Sequence, residues 1–164
     1  MPVEYRQLHA DHREALEAFA ARIPHEERMF VDRTLLSASA VARWTREFSA
    51  HRMVALDDGE VVGLVTVAPG MGWQSHVGEF RLIVQPDRRS HGIGRRLAEH
   101  GLELAAEHDL RKLSTEVMAV GSGGRMLESL GFVEEARLRG HVQDGKGELQ
   151  DLVIMSYWLP EPSP

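Results

Sequence analysis

Residues 79–97 constrain the fold of this chain more than any other stretch. An apolar run ends at Val84, Pro86 stands behind it, a basic loop follows, and Gly92-Ile93-Gly94 leads into a helical repeat of apolar positions. Proline cannot donate to a sheet ladder, so Pro86 closes the strand. The glycine turn bares main-chain N–H groups at a helix start, where the helix dipole places partial positive charge. Glycine at 92 and 94 lets a ligand approach the backbone closely. Arg88, Arg89, Arg95 and Arg96 flank the turn. The local chemistry is that of a diphosphate cradle.

Two ligand classes use such a cradle. A dinucleotide site needs G-x-G-x-x-G opening directly from a strand. Here the third position is Leu97, and residues 85–90 separate the strand from the turn. Arg89-Ser90-His91-Gly92-Ile93-Gly94 more closely resembles the coenzyme A signature of the GNAT superfamily of N-acetyltransferases, Q/R-x-x-G-x-G/A. The preceding Leu82-Ile83-Val84-Gln85-Pro86 resembles that family's strand ending L-x-V-x-P. Leu130-Gly131-Phe132 is similar to its helix ending in Leu-Gly-Phe.

Composition narrows the alternatives. A chain of 164 residues suits one domain, expected over residues 1–160 with a frayed proline-bearing tail at 161–164. The net charge of −6 argues against a nucleic-acid binder and makes the arginines near the turn a local patch. There is no cysteine, hence no disulfide and no catalytic thiol. Without thiolates, and with the nine histidines scattered, no metal is expected. His25-Glu26-Glu27-Arg28-Met29 begins like a zincin helix but lacks its second histidine. No apolar run has spanning length, and the N-terminus has no signal-peptide pattern, so a cytoplasmic protein without membrane partners is expected.

Along the chain, residues 3–8 read as a strand. Asp11 reads as an N-cap with Glu14 in capping-box position, and Leu16, Phe19, Ala20 and Ile23 recur on one helical face before Pro24. A charged connection carrying Met29 and Phe30 leads to a second helix after Ser37, striped by Val41, Trp44 and Phe48. Residues 52–56 and 60–67 form a hairpin around Asp57-Asp58-Gly59. A loop holding Trp73 precedes the motif strand; Trp73 would line a pocket or cover an edge. In the helix after the motif, Gly101 implies close packing on the sheet, since it costs about 1 kcal/mol against alanine. Residues 112–118 alternate as a strand, a Gly/Ser turn opens a short helix with Gly131 at C′, and two strands close the chain around Asp144-Gly145-Lys146-Gly147.

This order resembles the GNAT order over nearly the whole chain. The resemblance implies an α/β (α+β by some schemes) fold: a mixed, mostly antiparallel seven-stranded sheet flanked by about four helices, with the helix pair at 11–48 walling the acceptor site. It implies acetyl-CoA as cosubstrate and an amine acceptor. Main-chain N–H groups of Ile83 and Val84, beside Leu82, would face the thioester and pantetheine. Those of His91, Gly92, Ile93, Gly94 and Arg95 would hold the diphosphate, assisted by Arg89, with Ser90 replacing a glycine often seen there. The His91 side chain reads as a solvated turn residue.

Acetyl transfer also needs a base for the amine and an acid for the thiolate. Glu79 stands five residues before Val84, as the glutamate does in the bacterial protein-lysine acetyltransferases of this superfamily, and is the candidate base. Flanking Phe80 and Leu82 would lower the polarity around it; pairing with Arg81 is the alternative reading. Glu116, on the adjacent strand, is the second candidate. Many relatives carry the thiolate's acid as a tyrosine four residues before the Leu-Gly-Phe glycine; here that position is Leu127, and Val120 or Gly121 stands where an asparagine is common. Ser122 or water is left for that role. The tail from Asp144 through Met155 is similar to members that acetylate protein amines, so a protein lysine or N-terminus is the preferred acceptor and a small amine the alternative. A non-catalytic acyl-CoA sensor is the rival from another class. A monomer or homodimer fits either.

Overall fold

The computed structural model describes residues 2–24, 27, 43 and 50–161. One seven-stranded sheet runs β1 (Glu4–Gln7), β2 (His51–Asp57), β3 (Glu60–Pro69), β4 (Val77–Val84), β5 (Lys112–Met118), then β7 (Leu149–Trp158) inside β6 (Val133–Gln143). Every neighbouring pair is antiparallel except β4 with β5. Three α-helices are found among the described residues: α1 (Arg13–Arg22), α2 (Ile93–Glu107) and α3 (Gly123–Ser129). The expected second helix, with Val41, Trp44 and Phe48, and the connection at Met29 and Phe30 lie outside the described residues.

Local chemistry explains most boundaries. Asp58 and Gly59 both have positive φ, the signature of the two-residue turn whose twist matches a hairpin. At the end of α3 the Gly131 N–H bonds Glu128 O and the Phe132 N–H bonds Leu127 O, a Schellman closure that needs the positive φ of Gly131. The start of α1 departs from expectation. Asp11 is not its N-cap, and Glu14 closes no capping box. Instead His9 caps a single 3₁₀ turn, accepting from Asp11 N–H at 3.2 Å while His12 Nδ1 accepts from His9 N–H at 3.1 Å. Two imidazoles supply the reciprocal bonds, so a 3₁₀ turn precedes α1, which begins at Arg13 instead of His12.

The sheet buries a core on each face. On one face Leu16 and Phe19 of α1, with Ile23 just after it, pack on Val54, Val61 and Leu64, with Ile83 at the margin. On the other, α2 and α3 bury Leu97, Leu104 and Leu127 against Phe80, Leu113 and Met155. Gly101 is what lets α2 lie this close: a Cβ there would sit 2.6 Å from Phe80 Cε2 and 3.0 Å from a Val65 methyl. The close packing expected for this glycine is present.

His51, opening β2, stacks on His108 at the C-terminus of α2, ring centroids 3.4 Å apart and planes within 6°. Burial first, then the charges of His108 and Arg52, hold the His51 imidazole below its usual range, with Glu107 opposing. The unfolded chain therefore takes up this proton before the folded one. The stabilisation is complete above about pH 6.5 and is lost as pH falls through the lowered folded value. Melting temperature should drop from pH 7.5 to pH 5 more steeply in wild type than in His51→Phe, which keeps a ring but cannot titrate. Parallel slopes would show that the stack does not report pH.

Candidate active site

β4 and β5 pair only at their beginnings. Val77, Gly78 and Glu79 register with Lys112, Leu113 and Ser114; beyond that point β5 pairs with β7 alone, while β4 stays on β3 to Val84. The sheet thus opens between β4 and β5. Gln85 N–H bonds Val62 O and Gly70 N–H bonds Val77 O, in the same register as the β3–β4 ladder. Odd-numbered backbone groups of β4 therefore point at β3 and even-numbered ones at the opening. The amides left facing the gap are those of Leu82 and Val84. The Ile83 amide, expected there, belongs to the β3 ladder, because alternation allows two adjacent residues no common direction.

At the C-terminal end of this gap lies the glycine turn. Gly92 takes φ 81° and Ser90 φ 64°, and α2 begins at Ile93. The first bond closing the helix runs from Arg96 N–H to Gly92 O, 3.1 Å. The amides of His91, Gly92, Ile93, Gly94 and Arg95 have no carbonyl partner among the described residues and crowd around one turn. A serine in the left-handed region is strained by about 1–2 kcal/mol, so the loop does bear Ser90, at a cost. The His91 ring approaches Arg89 O at 2.7 Å, as a turn residue folding back on its own loop.

The arginines do not form a free basic patch. Arg88 pairs with Asp57, Arg96 with Glu99 at 3.0 Å, and Arg95 donates to Ser129 Oγ at 2.8 Å. Arg89 donates from Nε to Val84 O at 3.0 Å and from both terminal nitrogens to Glu27. Backbone N–H groups and the helix dipole are the unspent positive field at this turn.

At the other end of the gap is a cleft of about 370 Å³, lined by residues including Pro69, Gln74, Glu79, Arg81, Ser114 and Glu116. Glu79 and Ser114 are register partners, and Arg81 and Glu116 each stand two residues on, so all four share the α1 face. The two candidate bases are thereby brought into one cleft. Glu79 is half exposed and pairs with Arg81. Phe80 and Leu82 pack in the core on the opposite face, so their side chains do not surround the Glu79 carboxylate as expected. Val84 lies five residue steps beyond Glu79, about 17 Å at ~3.3 Å per residue. The gap therefore connects cradle and cleft along the free side of β4.

The remaining candidates fall elsewhere. Ser122 is exposed at the N-cap of α3, makes no side-chain cap bond there and does not line the cleft. Leu127 is 4% exposed within the core on the α2 face. Trp73 is 97% exposed and outside the cleft lining, so it neither covers an edge nor walls the site. Sequence reasoning missed Gln74 and Ser114 in the cleft and Glu27 at Arg89; long-range packing places them, and no motif marks them.

The family model described as Acetyltransferase (GNAT) family matches residues 9–132. No curated protein matches the chain in sequence. Among solved structures, a GNAT-family acetyltransferase from Streptococcus pneumoniae is similar at TM-score 0.80 and 17% identity, over 96% of this chain and 100% of that one. A ribosomal-protein-alanine N-acetyltransferase from Brucella melitensis superimposes at TM-score 0.77 with 23% identity, over 95% and 99%. The putative acetyltransferase yncA from Salmonella typhimurium, solved with its cofactor acetyl-CoA, gives 0.79 and 16%, over 99% and 96%.

Proposed function

This chain belongs to the GNAT acetyltransferase family, and from that premise we propose that it moves the acetyl group of acetyl-CoA to a primary amine of a protein, a lysine or an N-terminus. The reading rests on one observation above others: a single gap in the sheet joins an amide-lined turn at Gly92 to a cleft holding Glu79 and Glu116. The diphosphate would rest on the amides of residues 91–95, and the pantetheine arm would run along the N–H groups of Leu82 and Val84. These same groups would polarise the thioester carbonyl as its oxygen gains charge. Glu79 would take the proton of the incoming amine, with Glu116 next in line. The new C–N bond forms as the C–S bond breaks. The thiolate leaves to take its proton from water, since Leu127 has none to give and Ser122 lies outside the cleft. Residues 1–160 would act as one cytoplasmic domain; no helix among the described residues is long and apolar enough to cross a membrane.

Two features favour a protein acceptor: the exposed setting of the Glu79–Arg81 pair, and the likeness to the Brucella enzyme, named for a ribosomal-protein alanine. The buried Leu127 favours a second reading, a sensor that binds acyl-CoA without turnover.

Thermal unfolding with added ligand tests the coenzyme. A ligand at one hundred times its Kd adds about 2.7 kcal/mol to native stability. Acetyl-CoA should raise the melting temperature and NAD should not; the reverse result would sink the cradle assignment. Thiol release should then be followed against peptides with free N-termini, lysine peptides and a panel of small amines. Turnover on peptides is expected. Binding with no turnover on any amine would favour the sensor, and turnover confined to small amines would move the acceptor class.

A further inference from the structure

Among the described residues, Arg89 is the arginine of the motif loop whose charge is answered from farthest along the chain. Its Nη1 donates to Glu27 Oε1 at 2.9 Å, Nη2 bonds Glu27 Oε2, and Nε donates to Val84 O at 3.0 Å. Glu27 is 62 residues away and belongs to the stretch after α1, anchored by its own N–H on Pro24 O at 3.0 Å. The Val84 carbonyl points into the gap between β4 and β5, by the alternation established above. The Arg89 guanidinium therefore stands in the passage between cradle and cleft, where an extended arm would need the free side of β4. It brings a carboxylate with it. By contrast, Arg95 and Arg96 answer Glu99 on their own helix, and Arg88 answers Asp57 on the neighbouring hairpin strand.

A guanidinium presents a planar fork that matches one bidentate anion at a time. A carboxylate and a phosphate are alternative occupants. Resting on the coenzyme reading above, we propose that Glu27 is a positioning residue that acts through Arg89: an internal anion that occupies the guanidinium in the free protein and competes with the coenzyme's phosphates for it. Binding of the coenzyme exchanges one anion for the other, and the Glu27 carboxylate lowers coenzyme affinity both by holding Arg89 and by its like charge beside the turn. Acyl-group chemistry in the cleft is untouched by this exchange, because Glu27 is not among the residues lining it.

The test is coenzyme A binding by calorimetry to wild type, Glu27→Gln, Glu27→Asp and Arg89→Gln, with the double variant Glu27→Gln/Arg89→Gln. Glu27→Gln should bind roughly two- to fivefold more tightly, the scale of a partly exposed ion pair. Glu27→Asp, which keeps the charge, should stay near wild type. In the Arg89→Gln background the Glu27→Gln change should lose most of its effect. In steady state, Glu27→Gln should lower KM for acetyl-CoA and leave kcat unchanged. Melting curves without ligand confirm that each variant is folded; Glu27→Ala, which also removes the charge, serves with the same expected tightening if Glu27→Gln is not. Coenzyme binding that is unchanged or weaker in Glu27→Gln overturns this inference alone. Absence of coenzyme binding in wild type and every variant overturns the coenzyme reading and this inference together.

Discussion

Glu79→Gln should lower turnover by roughly 10²–10⁴ while leaving acetyl-CoA affinity and melting temperature almost unchanged. The size is the usual contribution of a positioned general base. The selectivity follows from the geometry. Glu79 lines the cleft at the far end of the gap, about 17 Å along the strand from the residues that approach the diphosphate turn. Among the described residues its ion-pair partner is Arg81, and both side chains are substantially exposed. Breaking such a pair costs at most about 1 kcal/mol, so loss of folding is not the expected outcome. Glutamine keeps the shape and the hydrogen-bonding capacity and removes only the proton acceptor. Raising the pH should partly rescue the variant, because more of the acceptor amine is then already neutral. Turnover equal to wild type across the pH range would transfer the role to Glu116, which shares the cleft, or to solvent.

Phe80→Ala should have the largest effect on stability, a loss of about 3–5 kcal/mol. That is a large share of the ~5–15 kcal/mol that holds a typical domain together. For a chain of this size it lowers the melting temperature by roughly 6–20 °C. Phe80 is 1% exposed, its ring is tilted 52° against Phe132 with centroids 5.3 Å apart, and Gly101 of α2 lies directly on it. It is also the first β4 residue beyond the β5 pairing. Its ring therefore fixes α2 over the strand at the point where the sheet opens. Calorimetry of the purified variant decides the matter; a fall below about 1 kcal/mol would mean that neighbouring side chains collapse into the space. A Gly101→Ala change provides a control of opposite chemistry. Helix propensity alone favours alanine by about 1 kcal/mol, yet overpacking against Phe80 should cost about 1–3 kcal/mol, so the net change should be destabilising.

The elements legible in the sequence are those whose signals are local. The Asp58-Gly59 turn demands positive φ at two positions, the Leu-Gly-Phe helix end demands it at Gly131, and both appear as read. Residues 112–118 alternate strictly and form β5 over the same residues. The strand, turn and helix around Gly92 could be drawn before any coordinates, because proline, glycine and apolar spacing each fix a backbone state without help from distant residues. Errors arose where a local rule had a competitor: Asp11 and Glu14 look like a capping box, but His9 and His12 make the bonds.

What the sequence determined by itself was the set of elements, the amide-bearing turn, and a carboxylate five residues before the strand's end. Tertiary structure alone decided that β4 and β5 part after Glu79, because that depends on which strand each prefers as a neighbour beyond that point. The parting fixes which N–H groups face the gap, so Ile83 yields its place to Leu82 and Val84. Burial and charge pairing were likewise undecidable from local pattern: Leu127 lies in the core, Trp73 in solvent, and each arginine beside the turn meets an acid or hydroxyl. The Glu27–Arg89 pair joins residues 62 apart, and no periodicity or motif records a contact made only when the chain closes on itself.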